Sequence, residues 1–107
     1  MNKYTELSDF EINKKVAEKL GIRFTPRNGV LILSATKLFD PCNNPADTMP
    51  IIIENGIAIR PYKTATPVAF NAEIGEFYGH TVYNENILRA AMEVFLLMKD
   101  KENSNGN

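Results

Sequence analysis

The chain has 107 residues, a hydrophobic fraction of 44% and a formal net charge of −1, which together favour one small folded domain over disorder. The near-neutral charge argues against a nucleic-acid-binding protein, because such proteins normally carry a strongly basic surface. One cysteine excludes an internal disulfide, and one histidine leaves no Cys/His cluster for a zinc site. The sequence has neither an apolar N-terminal signal nor an apolar run of membrane length, so we expect a cytoplasmic protein without a membrane partner.

The first helix is predicted over residues 9–20. Ser8 and Glu11 have the spacing of a capping box, in which each side chain bonds to the backbone N–H of the other residue. Gly21 is typical of the left-handed residue that ends a helix. The apolar residues of this segment fall on one side, so that side should pack against the rest of the protein.

Two strands are predicted next, at residues 22–25 and 30–34. The turn between them contains Asn28 and Gly29, which readily adopt the positive φ angles of a tight hairpin turn. The second segment is apolar at four successive positions from Val30, so it should be a central strand that is buried on both faces.

Residues 40–50 are a polar segment with three prolines, Asp-Pro-Cys-Asn-Asn-Pro-Ala-Asp-Thr-Met-Pro. We predict a stiff loop that presents Asn43, Asn44 and Asp47 for recognition. The alternative is a structural loop, in which the acids and amides bond to nearby backbone N–H groups and Asn44 caps a turn that begins at Pro45. The order of the acids does not match a calcium-binding loop, so no metal is predicted.

Four further segments follow the polar loop. A short helix that starts at Pro50 is predicted over residues 50–56. Strands are predicted over residues 57–62 and 67–71, and residues 72–83 should form a loop with tucked aromatic side chains.

The last helix is predicted over residues 85–99, with Asn84 as its N-terminal cap. Its circumference is apolar except for a narrow charged strip with Arg89, Glu93 and Asp100, so most of it must be buried. Either the first helix or a second copy of the protein could cover it, and we predict a homo-oligomer. Residues 101–107 should be a disordered polar tail.

These elements predict a single α+β domain over residues 1–100. In this fold a small, mostly antiparallel sheet of about three to five strands packs with an N-terminal and a C-terminal helix.

Nucleophilic chemistry would depend on Cys42, which needs a neighbouring base. The one histidine, His80, lies in the predicted aromatic loop. A Cys42–His80 pair is possible, but the more ordinary interpretation is a buried thiol and a surface histidine.

Binding of an anionic ligand is the other chemistry open to this chain. Arg60, Lys63 and Arg89 could contact a phosphate, which a guanidinium can hold with two parallel hydrogen bonds. An ion pair between Arg89 and Glu93, one helical turn away, is an equally good interpretation. The tyrosines that could stack on a base are Tyr62, Tyr78 and Tyr83.

Three stretches of the chain carry a family resemblance: residues 6–17 (Glu-Leu-Ser-Asp-Phe-Glu-Ile-Asn-Lys-Lys-Val-Ala), residues 39–52 with Cys-Asn-Asn-Pro-Ala-Asp, and residues 88–96 with Leu-Arg-Ala-Ala-Met. The chain resembles the phage NinX-like family, small proteins of unknown function encoded by tailed bacteriophages and prophages. The resemblance implies an accessory gene that is expressed inside a bacterium. It also implies that the polar loop recurs as a family motif, which favours a ligand site over a connector.

We therefore predict a non-enzymatic phage accessory protein, without cofactor, that sequesters a small nucleotide-derived ligand, such as a host immune signal, to counter bacterial defence. The alternatives are a nucleic-acid or recombination accessory protein, an inhibitor that docks on a host protein and, least favoured, a hydrolase. The predicted ligand-binding residues are Asn43, Asn44, Asp47, Arg60, Tyr62, Tyr78, His80 and Arg89.

Overall fold

The structure is a computed structural model that describes residues 2–34, 37–71 and 79–105. In these segments three helices accompany two three-stranded antiparallel sheets, which confirms the predicted α+β class with its N-terminal and C-terminal helices. The elements are α1 (Asp9–Leu20), β1 (Thr25–Arg27), β2 (Val30–Ile32), β3 (Leu38–Phe39), α2 (Pro45–Asn55), β4 (Ile57–Arg60), β5 (Val68–Asn71), β6 (Thr81–Tyr83) and α3 (Ile87–Asn105). The sheets have the strand orders β1-β2-β3 and β4-β5-β6.

Helix α1 begins and ends as predicted. The Ser8 hydroxyl accepts a hydrogen bond from the Glu11 backbone N–H at 3.1 Å, and the Glu11 carboxylate accepts one from the Ser8 N–H at 3.2 Å. Gly21 ends the helix with a φ of 71°, which a glycine adopts without steric cost. Both ends are therefore fixed by residues within one turn of the boundary.

The predicted hairpin is present, but its first strand lies further along the chain. Arg27 is opposite Val30, so Asn28 and Gly29 alone form the turn and β1 starts at Thr25. The central position of β2 is confirmed, since it pairs with both β1 and β3. Burial on both faces is wrong: Val30 is 41% exposed, because the outward side of this sheet has no layer over it among the described residues.

The polar loop is shorter than predicted, because α2 begins within it. Asn44 is the N-terminal cap, and its side-chain oxygen accepts a hydrogen bond from the Ala46 N–H at 3.0 Å. Pro45 occupies the first turn, where its missing N–H costs nothing. The helix predicted from Pro50 is thus the second half of a longer one, which stops at Gly56 as predicted.

Helix α3 starts two residues later than predicted, because Asn86 rather than Asn84 is its cap. The Asn86 side-chain oxygen accepts hydrogen bonds from the N–H groups of Leu88 and Arg89, at 3.0 and 3.3 Å. The helix then continues to Asn105, so the first part of the predicted tail is helical. Residues 106–107 of that tail lie outside the described residues.

Helix α3 is the centre of the core. Residues 89–96 are all buried, and α1, α2 and the three strands of the second sheet pack around them. Arg89 and Glu93 of the charged strip are buried as well, at 8% and 1% exposure. They form the ion pair that was the alternative interpretation of Arg89. Elements of the same chain cover this helix, so its apolar surface no longer argues for a homo-oligomer, which stays a prediction. None of the described helices, α3 included, is long and apolar enough to span a membrane.

Strand β6 lies inside the segment predicted as a loop, of which residues 72–78 are outside the described residues. Asn71 connects β5 to the start of β6: its N–H donates to the His80 carbonyl at 3.0 Å, and its carbonyl accepts from the Gly79 N–H at 2.9 Å. A strand of three residues is too short to show a clear alternation in the sequence, so its pairing with β5 is what reveals it.

Candidate functional site

The first candidate region is a polar junction, which consists of Asn13, Asp40, Asn43, Asn44, Asp47 and Asn86. Asn13 is buried at its centre. Its side-chain oxygen accepts from the Cys42 N–H at 3.0 Å, and its amide donates to Asp40 Oδ1 at 2.7 Å. The Asn86 amide donates to the Cys42 carbonyl at 2.7 Å. The backbone of Cys42 is therefore bonded both to Asn13 of α1 and to Asn86, the N-terminal cap of α3.

The amides and acids predicted to recognise a ligand are bonded within this junction. Asp47 Oδ2 accepts from the Asp40 N–H at 2.9 Å and from the Asn44 amide at 3.3 Å. The Asn43 amide donates to Asp40 at 3.1 Å, and its oxygen accepts from Asn86 at 3.1 Å. These contacts match the structural alternative for the loop, in which the polar groups hold their own backbone.

Arg89 lies beneath the junction and is enclosed by partners. Its Nε donates to Glu93 at 2.9 Å, its Nη1 to Asp9 at 2.8 Å, and its Nη2 to the Tyr4 carbonyl at 3.0 Å. Burial alone would lower the pKa of Arg89, but the hydrogen bonds to Asp9 and Glu93 outweigh it and raise the pKa. The guanidinium is therefore already neutralised and is not open to a phosphate.

Cys42 is fully buried in the junction. Burial, and then the nearby carboxylate of Asp9, raise the pKa of its thiol well above the usual value. Since the thiolate is the reactive form, this cysteine is a poor nucleophile. His80 stands elsewhere, at the start of β6, so the two residues occupy different parts of the fold.

The second candidate region is the outer face of the β4-β5-β6 sheet. Directly opposed residues of antiparallel strands place their side chains on the same face. Ile59, Ala69 and Val82 are opposed to one another and pack in the core around α3. The residues between them along each strand therefore point away from α3. This outer sheet face consists of Ala58, Arg60, Val68, Phe70, Thr81 and Tyr83.

The outer sheet face carries a positively charged side chain and aromatic rings. The Arg60 guanidinium carbon lies 5.2 Å from the centre of the Phe70 ring. Tyr83 is 65% exposed, and Tyr62, two residues beyond Arg60, is 46% exposed. Among the described strand residues this face has no carboxylate, whereas the polar junction has those of Asp40 and Asp47 beside Asp9.

The predicted ligand residues are thus divided between separate places. Asn43, Asn44, Asp47 and Arg89 meet at the junction. Arg60 belongs to the outer sheet face and Tyr62 follows it in the chain, whereas Tyr78 lies outside the described residues. Tyr83 was named as a possible stacking residue but was not among the predicted ligand-binding residues, and Phe70 was not considered. The alternation of the strand at residues 67–71 could have indicated Phe70, but only the register of the sheet places both rings on the same face as Arg60.

His80 does not share the outer sheet face. It precedes Val82 by two residues, on the side of β6 that faces α3, and its Nε2 atom is buried without a hydrogen-bond partner among the described residues. Burial, and then the charge of Lys101, lower the pKa of the imidazole, while Asp100 opposes them. The ring therefore stays neutral at neutral pH and offers no positive charge to a phosphate.

Within the described segments, no group of three or more His, Cys, Asp or Glu side chains is arranged to hold a metal ion. No curated protein and no solved structure is similar to this chain at a significant level. A family model described as "Bacteriophage P22, NinX" matches residues 3–99. This match spans both candidate regions and nearly the whole chain. The chain therefore belongs to the phage NinX family.

Proposed function

We propose that the protein is a non-enzymatic phage accessory protein that binds a small nucleotide-type ligand on the outer sheet face. Sequestering such a ligand in the host cytoplasm would counter a defence that signals through it. The observation that supports this proposal is the carboxylate-free row of Arg60, Phe70 and Tyr83, in which Arg60 and Tyr83 are exposed and Phe70 is half-buried. A binding protein of this kind needs exposed recognition groups and no catalytic residues.

The spacing of these side chains suits a nucleotide. Arg60 and Tyr83 are both opposed to Val68, so β5 alone separates them, and two strand spacings amount to roughly 10 Å. A base can stack on the Tyr83 ring while the Arg60 guanidinium pairs with a phosphate. Because Phe70 lies under the guanidinium, the arginine is held in place before the ligand arrives.

The polar junction has a supporting role in this proposal. Its hydrogen bonds tie α1, α2 and α3 together, and α3 is the helix on which the β4-β5-β6 sheet rests. The outer sheet face belongs to one chain, so ligand binding does not require the predicted homo-oligomer.

Isothermal titration tests the proposal with a panel of AMP, cyclic mononucleotides, cyclic dinucleotides and ADP-ribose. We expect at least one of them to bind, and we expect Arg60→Ala to weaken that binding by about tenfold or more. Arg27→Ala is the matched control, because Arg27 is an exposed arginine on the other sheet. A folded protein that gives no signal with the whole panel would overturn the proposal.

Single-stranded nucleic acid is a second candidate ligand for the same face. Exposed aromatic rings beside an arginine on an open sheet are a common platform for unpaired bases. The net charge of −1 weighs against it. A gel shift with a short oligothymidine at low salt distinguishes the two ligands. A shifted band that is lost at high salt, with no binding of the small nucleotides, would identify single-stranded nucleic acid as the ligand.

A further inference from the structure

The four edge strands of the two sheets differ in their protection against pairing with another chain. β1 contains Pro26 and Arg27, β3 has only two residues, and β4 ends at Arg60 before Pro61. Proline, charge and shortness are the usual devices that prevent a strand from joining a free edge. β6, which reads Thr-Val-Tyr, is as short as β1 but has neither a proline nor a charged residue.

The hydrogen-bond pattern shows which backbone groups of β6 face outward. The Asn71 N–H bonds to the His80 carbonyl, and the Asn84 N–H bonds to the Pro67 carbonyl. In an antiparallel pair, residues whose backbone groups bond to the neighbouring strand alternate with residues whose backbone groups point away from it. The N–H and C=O groups of Val82, which lies midway between His80 and Asn84, therefore also point toward β5. The N–H and C=O groups of Thr81 and Tyr83 therefore point away from β5, toward the free edge of β6, where the described residues provide no partner strand.

A cleft of about 510 Å³ runs along this edge. Residues 79–83 line one wall, and Asn2, Thr5 and Leu97 line the rest. The volume is within the range of ordinary ligand sites, about 300–1,000 Å³. The cleft therefore offers space directly beside the outward backbone groups of Thr81 and Tyr83.

The far wall of the cleft is fixed to α3. The Asn2 amide donates to Glu93 at 3.0 Å, and the Asn2 side-chain oxygen accepts from the Tyr4 N–H at 2.7 Å. The Tyr4 hydroxyl bonds to Asp100, which also pairs with Lys3 at 3.1 Å. The slot between β6 and the N-terminal residues is thus enclosed on both sides, which suits a single extended segment better than the edge of a second whole sheet.

We propose that the free edge of β6 binds an extended peptide segment of a partner protein, which adds a fourth strand to the β4-β5-β6 sheet. The partner backbone bonds to Thr81 and Tyr83, and one side chain of the segment lies over Leu97 of α3. That residue of the segment is therefore apolar. This surface shares Thr81 and Tyr83 with the outer sheet face, but it uses their backbone groups at the strand edge rather than their side chains on the sheet.

The test uses the full chain and a displayed library of random linear peptides of about seven residues. Peptides selected on the immobilised protein are titrated by fluorescence anisotropy against three forms: wild type, Thr81→Pro and Thr81→Ser. Proline at position 81 removes an outward N–H and leaves the groups that bond to β5 intact, so we expect peptide binding to fall by about tenfold or more. Thr81→Ser keeps the backbone donor and should bind within about twofold of wild type.

N-methylation of the selected peptides gives a second measurement that needs no protein variant. Methyl groups on alternate backbone nitrogens should abolish binding, and those on the intervening nitrogens should not. Failure to select any peptide, equal binding by Thr81→Pro, or tolerance of every N-methyl group would overturn the proposal. So would a dimer that dissociates on Thr81→Pro, since it would identify a second copy as the occupant. Arg60→Ala should leave peptide binding unchanged, which separates this proposal from the nucleotide proposal.

Discussion

The polar junction and the outer sheet face differ in how far their polar side chains are already bonded within the protein. At the junction, the side chain of Asn13 bonds to Asp40, and the side chains of Asn13 and Asn86 both bond to the backbone of Cys42. On the outer sheet face, Arg60 contacts the Phe70 ring and Tyr83 is mostly exposed. A cluster of polar residues in a sequence is thus not by itself a binding site. Binding requires groups whose hydrogen-bonding or stacking capacity is still free.

The two arginines make the largest test of this contrast. Arg89→Met should lower the free energy of unfolding by about 3–5 kcal/mol, because it leaves the buried Glu93 carboxylate without its positively charged partner. Arg60→Met should change it by less than about 0.5 kcal/mol, as is usual for an exposed side chain. Urea unfolding followed by circular dichroism measures both. Equal losses for the two variants would show that the regions do not differ in this way.

Ligand affinity gives the next largest effect. Tyr83→Ala should weaken nucleotide binding by about 1–3 kcal/mol, because a base loses its stacking surface. Tyr83→Phe keeps the ring and should bind nearly as well as wild type. Titration calorimetry with the tightest member of the nucleotide panel measures both variants, and unchanged affinity in Tyr83→Ala would exclude stacking on this ring.

The helix cap at the junction provides a smaller effect on stability. Asn44→Ala should cost about 1 kcal/mol, because the Ala46 N–H loses its acceptor at the start of α2. Asn44→Ser restores an acceptor and should recover most of that loss. Thermal unfolding measures both variants. If Asn44→Ala instead weakened nucleotide binding while stability was unchanged, the loop would be a recognition site after all.

The smallest effect is a pH dependence from His80, the one histidine of the chain. Its folded-state pKa lies below the usual 6.5, so the unfolded chain binds more protons between the two pKa values. Stability should therefore fall as the pH drops below about 6.5, and level off below the folded-state pKa. Unfolding between about pH 5.5 and 8 compares wild type with His80→Gln, which should lack this slope. An identical slope in the variant would assign the dependence to other groups.

The parts of the fold that were predicted from sequence are those determined by near neighbours. Ser8, Glu11 and Gly21 fix α1 within one turn of its ends, and Asn28-Gly29 fixes the hairpin. The junction could not be predicted in the same way, because Asn13 bonds to Cys42 across 29 positions of the chain. Asn86 bonds to the same residue across 44 positions. The residues that use the hydrogen-bonding groups of the polar loop are therefore remote from it in sequence.

The candidate site shows the same limit. Alternation within residues 57–62 predicted a half-buried strand, which follows from a period of two, and β4 occupies Ile57–Arg60 of that segment. The relation of Arg60 to Phe70 and Tyr83 depends on the register of three strands, which local patterns do not determine. β6 could not be predicted from the sequence, because a strand of only three residues is too short to show a clear alternation.

Chemical-shift mapping tests the division between the two regions most directly. The ¹H–¹⁵N spectrum of the labelled chain is recorded while the tightest-binding nucleotide of the panel is added. We predict shift changes at Arg60, Phe70 and Tyr83, with the amides of the polar junction unaffected. Changes concentrated at Asn43, Asn44 and Asp47, with the sheet unchanged, would contradict the assignment of ligand binding to the outer sheet face.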